Sequence, residues 1–569
     1  MNKSKKTTYW WNRWTAVSIA IMLLVLTPIF TILIKLLERP GENWNHISST
    51  LLPSYFYNSL LLLLGVGFFT FILGVSLAWI VSVYEFPGRK YFEWLLILPL
   101  AFPSYMMGYS YVGILEYTGP VSSWLRNNFE IAFKGPIIDI MNMPGVIFIL
   151  SISLFPYVYV LCRASFTQQS STFREAAVLL GSSKPRVFTK IALPLARPAI
   201  AGGLALVGME VLNDYGTIKY FGVDTFTAGI FRAWFSFGDV NTAIYLSAIL
   251  TLFVLVLIWI ENLQRGNRGW TNRSDNSKPA KRIEPSRITQ YALTLTCGIL
   301  LAISFLLPLG QLLIWVSQTW RYVVDSEFGI LIFRSFTLAI GSAVLIAILS
   351  IVLLYTVRIS PLKWTRYITR TASIGYAIPG AVIAVGVMIP MIELDKIINA
   401  VAATNVGLLL SGTLFIVIIA YIVRFMAVGY NAIDSGFQKT GASVNEVARS
   451  LGASPFRTLW QVDLPLIRNS IAAGILLAFV DIMKELPLTL ILRPFNFHTL
   501  ATKAFDMATN EMIAESANAS LVVVLTGIIP IILLNNVISG KKKVAQKSKL
   551  SHTISTKIEE QAEPPLVND

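Results

Sequence analysis

A polar, helix-favouring segment is written twice in this otherwise apolar chain, 271 residues apart. The first copy runs Glu175-Ala-Ala-Val-Leu-Leu-Gly181 and ends at Leu193-Pro194; the second runs Glu446-Val-Ala-Arg-Ser-Leu-Gly452 and ends at Leu464-Pro465. Glu to Gly is six residues in both copies, and Gly to Pro is thirteen in both. A fold that keeps two such segments in register must be a duplication, and the search for repeats therefore comes first.

The 569 residues are 55% hydrophobic and 14% charged, with a mean hydropathy of +0.64. That composition places the chain among polytopic membrane proteins. A spanning helix needs roughly 20 apolar residues. Twelve such stretches are expected, near 14–36, 55–84, 91–115, 144–164, 198–219 and 240–261, then 291–316, 331–357, 366–391, 406–428, 469–490 and 519–538. The first follows Lys3, Lys5 and Lys6 but is too long for a signal h-region, and it reads as a retained anchor.

Lysine and arginine fix the expected orientation. If both termini are cytoplasmic, the inner segments hold 34 of the 46 basic residues, counting 424–468 as one inner segment. The net charge of +15 is then a membrane signature, and no nucleic-acid role is read from it. Cys162 and Cys297 lie at or within spans, which argues against a disulfide framework. The three histidines are scattered, and no phosphate-cradling Gly-x-x-x-x-Gly-Lys-Ser/Thr loop occurs. No cofactor on this chain is expected.

The repeat extends beyond the polar segment. Ala101-Phe102-Pro103 matches Ala377-Ile378-Pro379, and Ser59 matches Ser335, both at an offset of 276. Six spans per half give both halves the same orientation, a parallel repeat about an axis along the membrane normal. The expected fold is therefore an all-α polytopic membrane protein of about 12 helices in two parallel six-helix repeats. The expected divisions are 1–262, a polar linker at 263–289, 290–540, and a disordered cytoplasmic tail at 541–569.

Within each polar segment a first helix stops at Gly181 or Gly452, whose absent Cβ suits a left-handed turn. In the second copy Ser454-Pro455 supplies a capping residue followed by proline at the first helical position. A connector packed on the bundle's inner face would explain one copy; two copies of equal spacing point to a surface offered to partners. These segments resemble the cytoplasmic loops of the membrane subunits of bacterial ABC importers, with their Glu-Ala-Ala…Gly…Leu-Pro hallmark. The second copy departs from it with Val447 in place of the first alanine. The resemblance implies a type I importer transmembrane domain in the bacterial cytoplasmic membrane. It also implies that two copies of a cytoplasmic ATPase, which bind ATP and Mg, dock on the loops through Glu175, Ala176, Gly181, Pro194, Glu446, Ala448, Gly452 and Pro465.

Beyond each loop a run of carboxylates follows: Glu210 and Asp214 in the first half, Asp481 and Glu485 in the second, each pair spaced i, i+4 and matched at offset 271. That spacing places each pair on one helix face. Ionised groups within a span cost about 2.5–3.5 kcal/mol each, so they face a pathway or a partner. Four such groups converging on the repeat axis would attract a hard cation; the alternative is internal pairing, for example of Asp481 or Glu485 with Lys484. Around them, Asn213-Asp214-Tyr-Gly-Thr-Ile-Lys and Lys484-Glu485-Leu-Pro-Leu-Thr resemble the ferric-iron importer permeases, which commonly fuse both halves. That resemblance implies Fe3+ as the cargo, delivered by an extracytoplasmic iron-binding protein. Thiamine and polyamine permeases share the architecture. An ion-coupled secondary transporter would use the four carboxylates as a proton relay but leaves the matched loops without a purpose. A membrane enzyme fares worse, since no nucleophile–base set is visible.

Overall fold

The computed structural model describes residues 13–129, 138–168, 183–265, 282–360, 365, 367, 369, 374–402, 406–441 and 443–532. The described part is helical throughout, and its β pairing is one isolated parallel bridge between Tyr84 and Ile283. The first half carries α1 (Arg13–Lys35), α2 (Leu52–Val83), α3 (Arg89–Leu95), α4 (Ser104–Leu115), α5 (Met143–Gln168), α6 (Arg197–Asn213), α7 (Gly216–Tyr220), α8 (Phe226–Phe231) and α9 (Val240–Arg265). The second carries α10 (Arg287–Val323), α11 (Ser326–Ile359), α12 (Gly380–Ala402), α13 (Leu414–Thr440), α14 (Ser443–Ser450), α15 (Leu464–Met483), α16 (Pro487–Leu492), α17 (Leu500–Thr509) and α18 (Ile513–Ile532).

Packing repeats with the sequence. Helices α2, α5 and α6 form a mutually packed core in the first half, and α11, α13 and α15 form its counterpart in the second. The matched serines do one job twice. Buried Ser59 Oγ accepts the Phe226 N–H at 3.3 Å, and buried Ser335 Oγ accepts the Leu500 N–H at 2.9 Å. Each fixes the start of a short helix, α8 or α17, whose free N–H groups need acceptors in an apolar setting.

The halves also exchange helices. Helix α1 packs on α11, α12 and α13 of the second half, and Ser18 and Thr356 are hydrogen-bonded across that contact at 2.8 Å. In return α10 packs on α3 and α4, where the Tyr111 hydroxyl donates to the Ile303 carbonyl. The stretch read as a linker ends in an anchor. Ile283 exchanges hydrogen bonds with Glu85 N–H (3.0 Å) and the Val83 carbonyl (2.9 Å), while Arg282 pairs with Glu85 at 3.4 Å.

Among the described residues nine helices are long and apolar enough to cross a membrane, or eleven if each of two sharply bent pairs counts as one span. Four expected spans depart from straight helices. The stretch 91–115 breaks into Arg89–Ala101 and Ser104–Phe129 at 93°, because Pro99 and Pro103 interrupt the backbone ladder. In the stretch 366–391 the described residues show a 3-10 turn at Ile374–Ala377, a break at Ile378-Pro379 and then α12 from Gly380. The stretches 198–219 and 469–490 end early, at Asn213 and Met483.

Candidate functional site

The second polar loop has the helix–turn–helix form its sequence predicts. Helix α14 carries Glu446 and Ala448, and Gly452 turns at φ +87°, in the left-handed region. Ser454 then accepts the Arg457 N–H at 3.3 Å, with Pro455 opening the next turn. A π-helical turn, Leu459–Asp463, leads to Pro465 in the first turn of α15. In the first loop the described residues repeat this ending, with a π turn at Phe188–Ala192 and Pro194 just beyond it. Glu175, Ala176 and Gly181 lie outside the described residues.

Two properties distinguish the second loop. It is fastened to the end of α11: Arg358 pairs with buried Asp463 at 3.5 Å and donates to the Gly441 carbonyl, Asn445 donates to Asp463 at 2.9 Å, and the Tyr355 hydroxyl donates to the Pro455 carbonyl. Its outer surface is apolar, with Leu451 83%, Phe456 62% and Trp460 58% exposed. Large apolar side chains clustered on a polar loop mark an interaction surface.

The loop and the carboxylates sit at opposite ends of one helix. The 20 residues of α15 span about 30 Å. At the far end all four predicted carboxylates line one cavity of about 110 Å3 between the halves. Sequence spacing places each pair on one helix face, but the structure corrects this. Helix α6 ends at Asn213 and α15 at Met483, so Glu210 and Asp481 lie on helices while Asp214 and Glu485 lie in the breaks that follow. Each carboxylate in a break caps the short helix beyond it. Asp214 accepts the Thr217 N–H and hydroxyl, both at 2.9 Å, and the Ser104 hydroxyl. Glu485 accepts the Leu488 N–H at 3.0 Å. The same capping logic holds both short helices, α7 and α16, in place.

Beyond capping, the two halves differ. In the second half each carboxylate meets a cation: Glu485 pairs with Arg424 at 3.1 Å, both side chains being 5% exposed, and Asp481 pairs with Lys484 at 3.1 Å. In the first half Glu210 accepts from the Tyr376 hydroxyl at 3.3 Å, and Asp214 keeps its neutral donors. Among the described residues no lysine or arginine lies within ion-pair distance of either, so the cavity has an acidic side. No three His, Cys, Asp or Glu groups among the described residues come close enough to share one metal ion. Among the described residues the carboxylates line a cavity and do not form a chelating cage.

Arg424 is the main site residue that the charge pattern misplaces. Counted with the inner segment 424–468, it is instead buried within α13 and also donates to the Ile378 carbonyl at 2.9 Å. The signal was present: an arginine closing the apolar run 406–428 is the kind of intramembrane charge that takes a partner. Asn213 joins the halves here too, accepting the Gly380 N–H at 2.7 Å.

A second cavity, about 460 Å3, lies beyond the first and is lined by Tyr215, Phe231 and Phe235 from one half and by Phe495, His498 and Phe505 from the other. Burial lowers the His498 pKa, Arg493 lowers it further, and Asp506 offsets this in part. A neutral imidazole then accepts the Arg493 N–H at its Nδ1 (2.7 Å), and the charged pair of this cluster is Arg493 with Asp506 at 3.0 Å.

The model of the family described as "binding-protein-dependent transport system inner membrane component" matches residues 70–269 and again 358–544. The chain belongs to that family. The double match agrees with the duplicated loops and with the repeated three-helix core. The permease is 25% identical over 486 residues to the Fe(3+)-transport system permease protein FbpB 2 of Haemophilus influenzae, covering 84% of this chain and 88% of that one. It is 21% identical over 408 residues to the ferric transport system permease protein FbpB of Actinobacillus pleuropneumoniae, covering 68% and 57%. It is also 24% identical over 201 residues to the sulfate transport system permease protein CysT of Escherichia coli, covering 35% and 70%. These relatives are transport permeases, not enzymes, and the chain is a multi-pass inner-membrane importer subunit.

Proposed function

We infer that this permease carries ferric iron, received from an extracytoplasmic binding protein, and is driven by two cytoplasmic ATPase subunits. The observation that carries the cargo reading is the charge of the cavity. Its two cations, Arg424 and Lys484, each form an ion pair with a second-half carboxylate, while Glu210 and Asp214 form no ion pair among the described residues, leaving the carboxylates in excess. An acidic wall attracts a hard cation, for which oxygen ligands are suited, and repels sulfate. The similarity to a ferric permease over most of both chains supports the same choice.

On this reading ATP and Mg are bound by the partner ATPases, and closure of their dimer pushes on the loops at 175–194 and 446–465. The second loop passes that displacement to α11 and α15, and the halves rock about the seam that holds the cavity. A few kcal/mol of differential contact is enough to bias such a two-state equilibrium. Both termini lie in the cytosol, residues 263–289 join the halves, and 541–569 trail as a cytoplasmic tail. The chain needs no cofactor of its own.

Charge removal tests the cargo reading without removing the helix caps. Asparagine caps a helix about as well as aspartate, so Asp214→Asn keeps α7 in place while discarding the charge. Combined with Glu210→Gln it is expected to lower ferric uptake by cells at least about tenfold, the equivalent of 1.4 kcal/mol, with membrane insertion unchanged. Unaltered uptake of radiolabelled iron in that double variant would remove the carboxylates from the path.

A further inference from the structure

We propose that an aromatic seam formed by Tyr105, Tyr215, Phe231 and Phe505 is the outer gate of this permease, closing the acidic cavity from the vestibule above it. The inference rests on reading that cavity as the translocation path, and it adds the element that controls entry. Tyr105 lines the acidic cavity, Phe231 and Phe505 line the vestibule, and Tyr215 lines both. All four are nearly buried, between 3% and 8% exposed, although each borders a cavity.

The seam is built from both halves. Tyr215 stacks on Phe231 with centroids 3.5 Å apart and planes within 12°. Phe505, on α17 of the other half, meets Tyr215 at 5.7 Å and Tyr105 edge-on at 6.2 Å. The Tyr105 hydroxyl also donates to the Ala501 carbonyl across the seam at 3.4 Å. Gly216 brings the lips together: a Cβ there would lie 2.8 Å from both the Leu486 side chain and the Tyr105 Cβ. A larger residue at 216 would wedge the halves apart.

Each lip is bound more firmly to its own half than to its opposite. Asp214 ties α7 to the start of α4 through Ser104, so Tyr105 and Tyr215 move together. Arg493 and Asp506 tie α17 to the end of α16, so Phe505 moves with the second half. Among the described residues the joins across the seam at this level are aromatic edges, the packing of Leu486 on Gly216 and one hydrogen bond. Aromatic pairs of this kind contribute modestly beyond the area they bury, which suits a joint that must part and reclose.

Cysteine accessibility tests the gate without iron, ATP or the ATPase, so its failure leaves the ferric reading standing, and failure of that reading leaves the gate standing. In a Cys162→Ala, Cys297→Ala background, Leu154→Cys reports on the acidic cavity and Phe495→Cys, on the exposed vestibule loop, reports on the outside. A membrane-impermeant maleimide is added to right-side-out vesicles. Leu154→Cys should react at least about tenfold more slowly than Phe495→Cys, and adding either Phe505→Ala or Gly216→Val should raise its rate about tenfold by populating the open seam. Phe505→Leu replaces Phe505→Ala if the smaller residue prevents assembly. The proposal is overturned if Leu154→Cys already reacts as fast as Phe495→Cys. It is equally overturned if the gate variants leave the Leu154→Cys rate unchanged while Phe495→Cys labels normally.

Discussion

Leu451→Asp combined with Trp460→Asp is expected to strip the ATPase from the permease while leaving the permease in the membrane. Both side chains stand largely in solvent on the second loop, so the isolated fold has little to lose from their replacement. A docked partner loses much more. Large apolar and aromatic anchors at an interface commonly contribute about 2 kcal/mol or more each, and every 1.4 kcal/mol is tenfold in affinity. Copurification of the ATPase and ATP-driven uptake should both fall at least about tenfold. Retention of both at normal levels would mean that the loop is a structural connector. Exchange of Glu175 and Glu446 for Lys probes the same docking role in both copies, with the same expected loss.

The second large effect is expected inside the bundle. Arg424→Met removes the partner of Glu485 and leaves a carboxylate buried beside an apolar side chain. Breaking a buried pair from one side costs about 3–5 kcal/mol, because the remaining charge is uncompensated. The variant should lose most of its folded yield and unfold at a lower temperature in detergent. Adding Glu485→Met removes the second charge as well and should restore much of that stability, since apolar replacements of whole buried pairs are often neutral. Equal stability of the single and double variants would show that the pair is not coupled. Restored folding without restored uptake in the double variant would place the pair in the transport cycle as well as in the fold.

The sequence alone made the duplication, the helix–turn–helix form of the second loop and the serine pair Ser59 and Ser335 legible, because each rests on spacing or on a residue whose chemistry is local. Gly452 and Ser454 could be assigned their roles before any coordinates, since a left-handed turn and a helix cap select few residue types. The convergence of the four carboxylates followed from the repeat. Their local geometry did not. An i, i+4 pair in an apolar run looks like a continuing helix, and the cues to the breaks were Gly216 and Pro487 immediately beyond. Pro487 in particular is suited to open a new helix. The exchange of α1 and α10 between halves left no trace, because a face that meets another helix and a face that meets lipid are equally apolar. The unequal charge of the two halves needed Arg424 in its place within α13, and a count of basic residues by segment put it in the cytosol.

On the proposed function, this bundle passes a hard cation under force supplied by ATP. Proteoliposomes holding the permease with its ATPase and binding protein, offered radiolabelled ferric iron and radiolabelled sulfate in parallel, test it most directly. Iron should accumulate with ATP inside the partner compartment, and sulfate should not. Accumulation of sulfate in place of iron, or of iron on an imposed proton gradient without ATP, would contradict it.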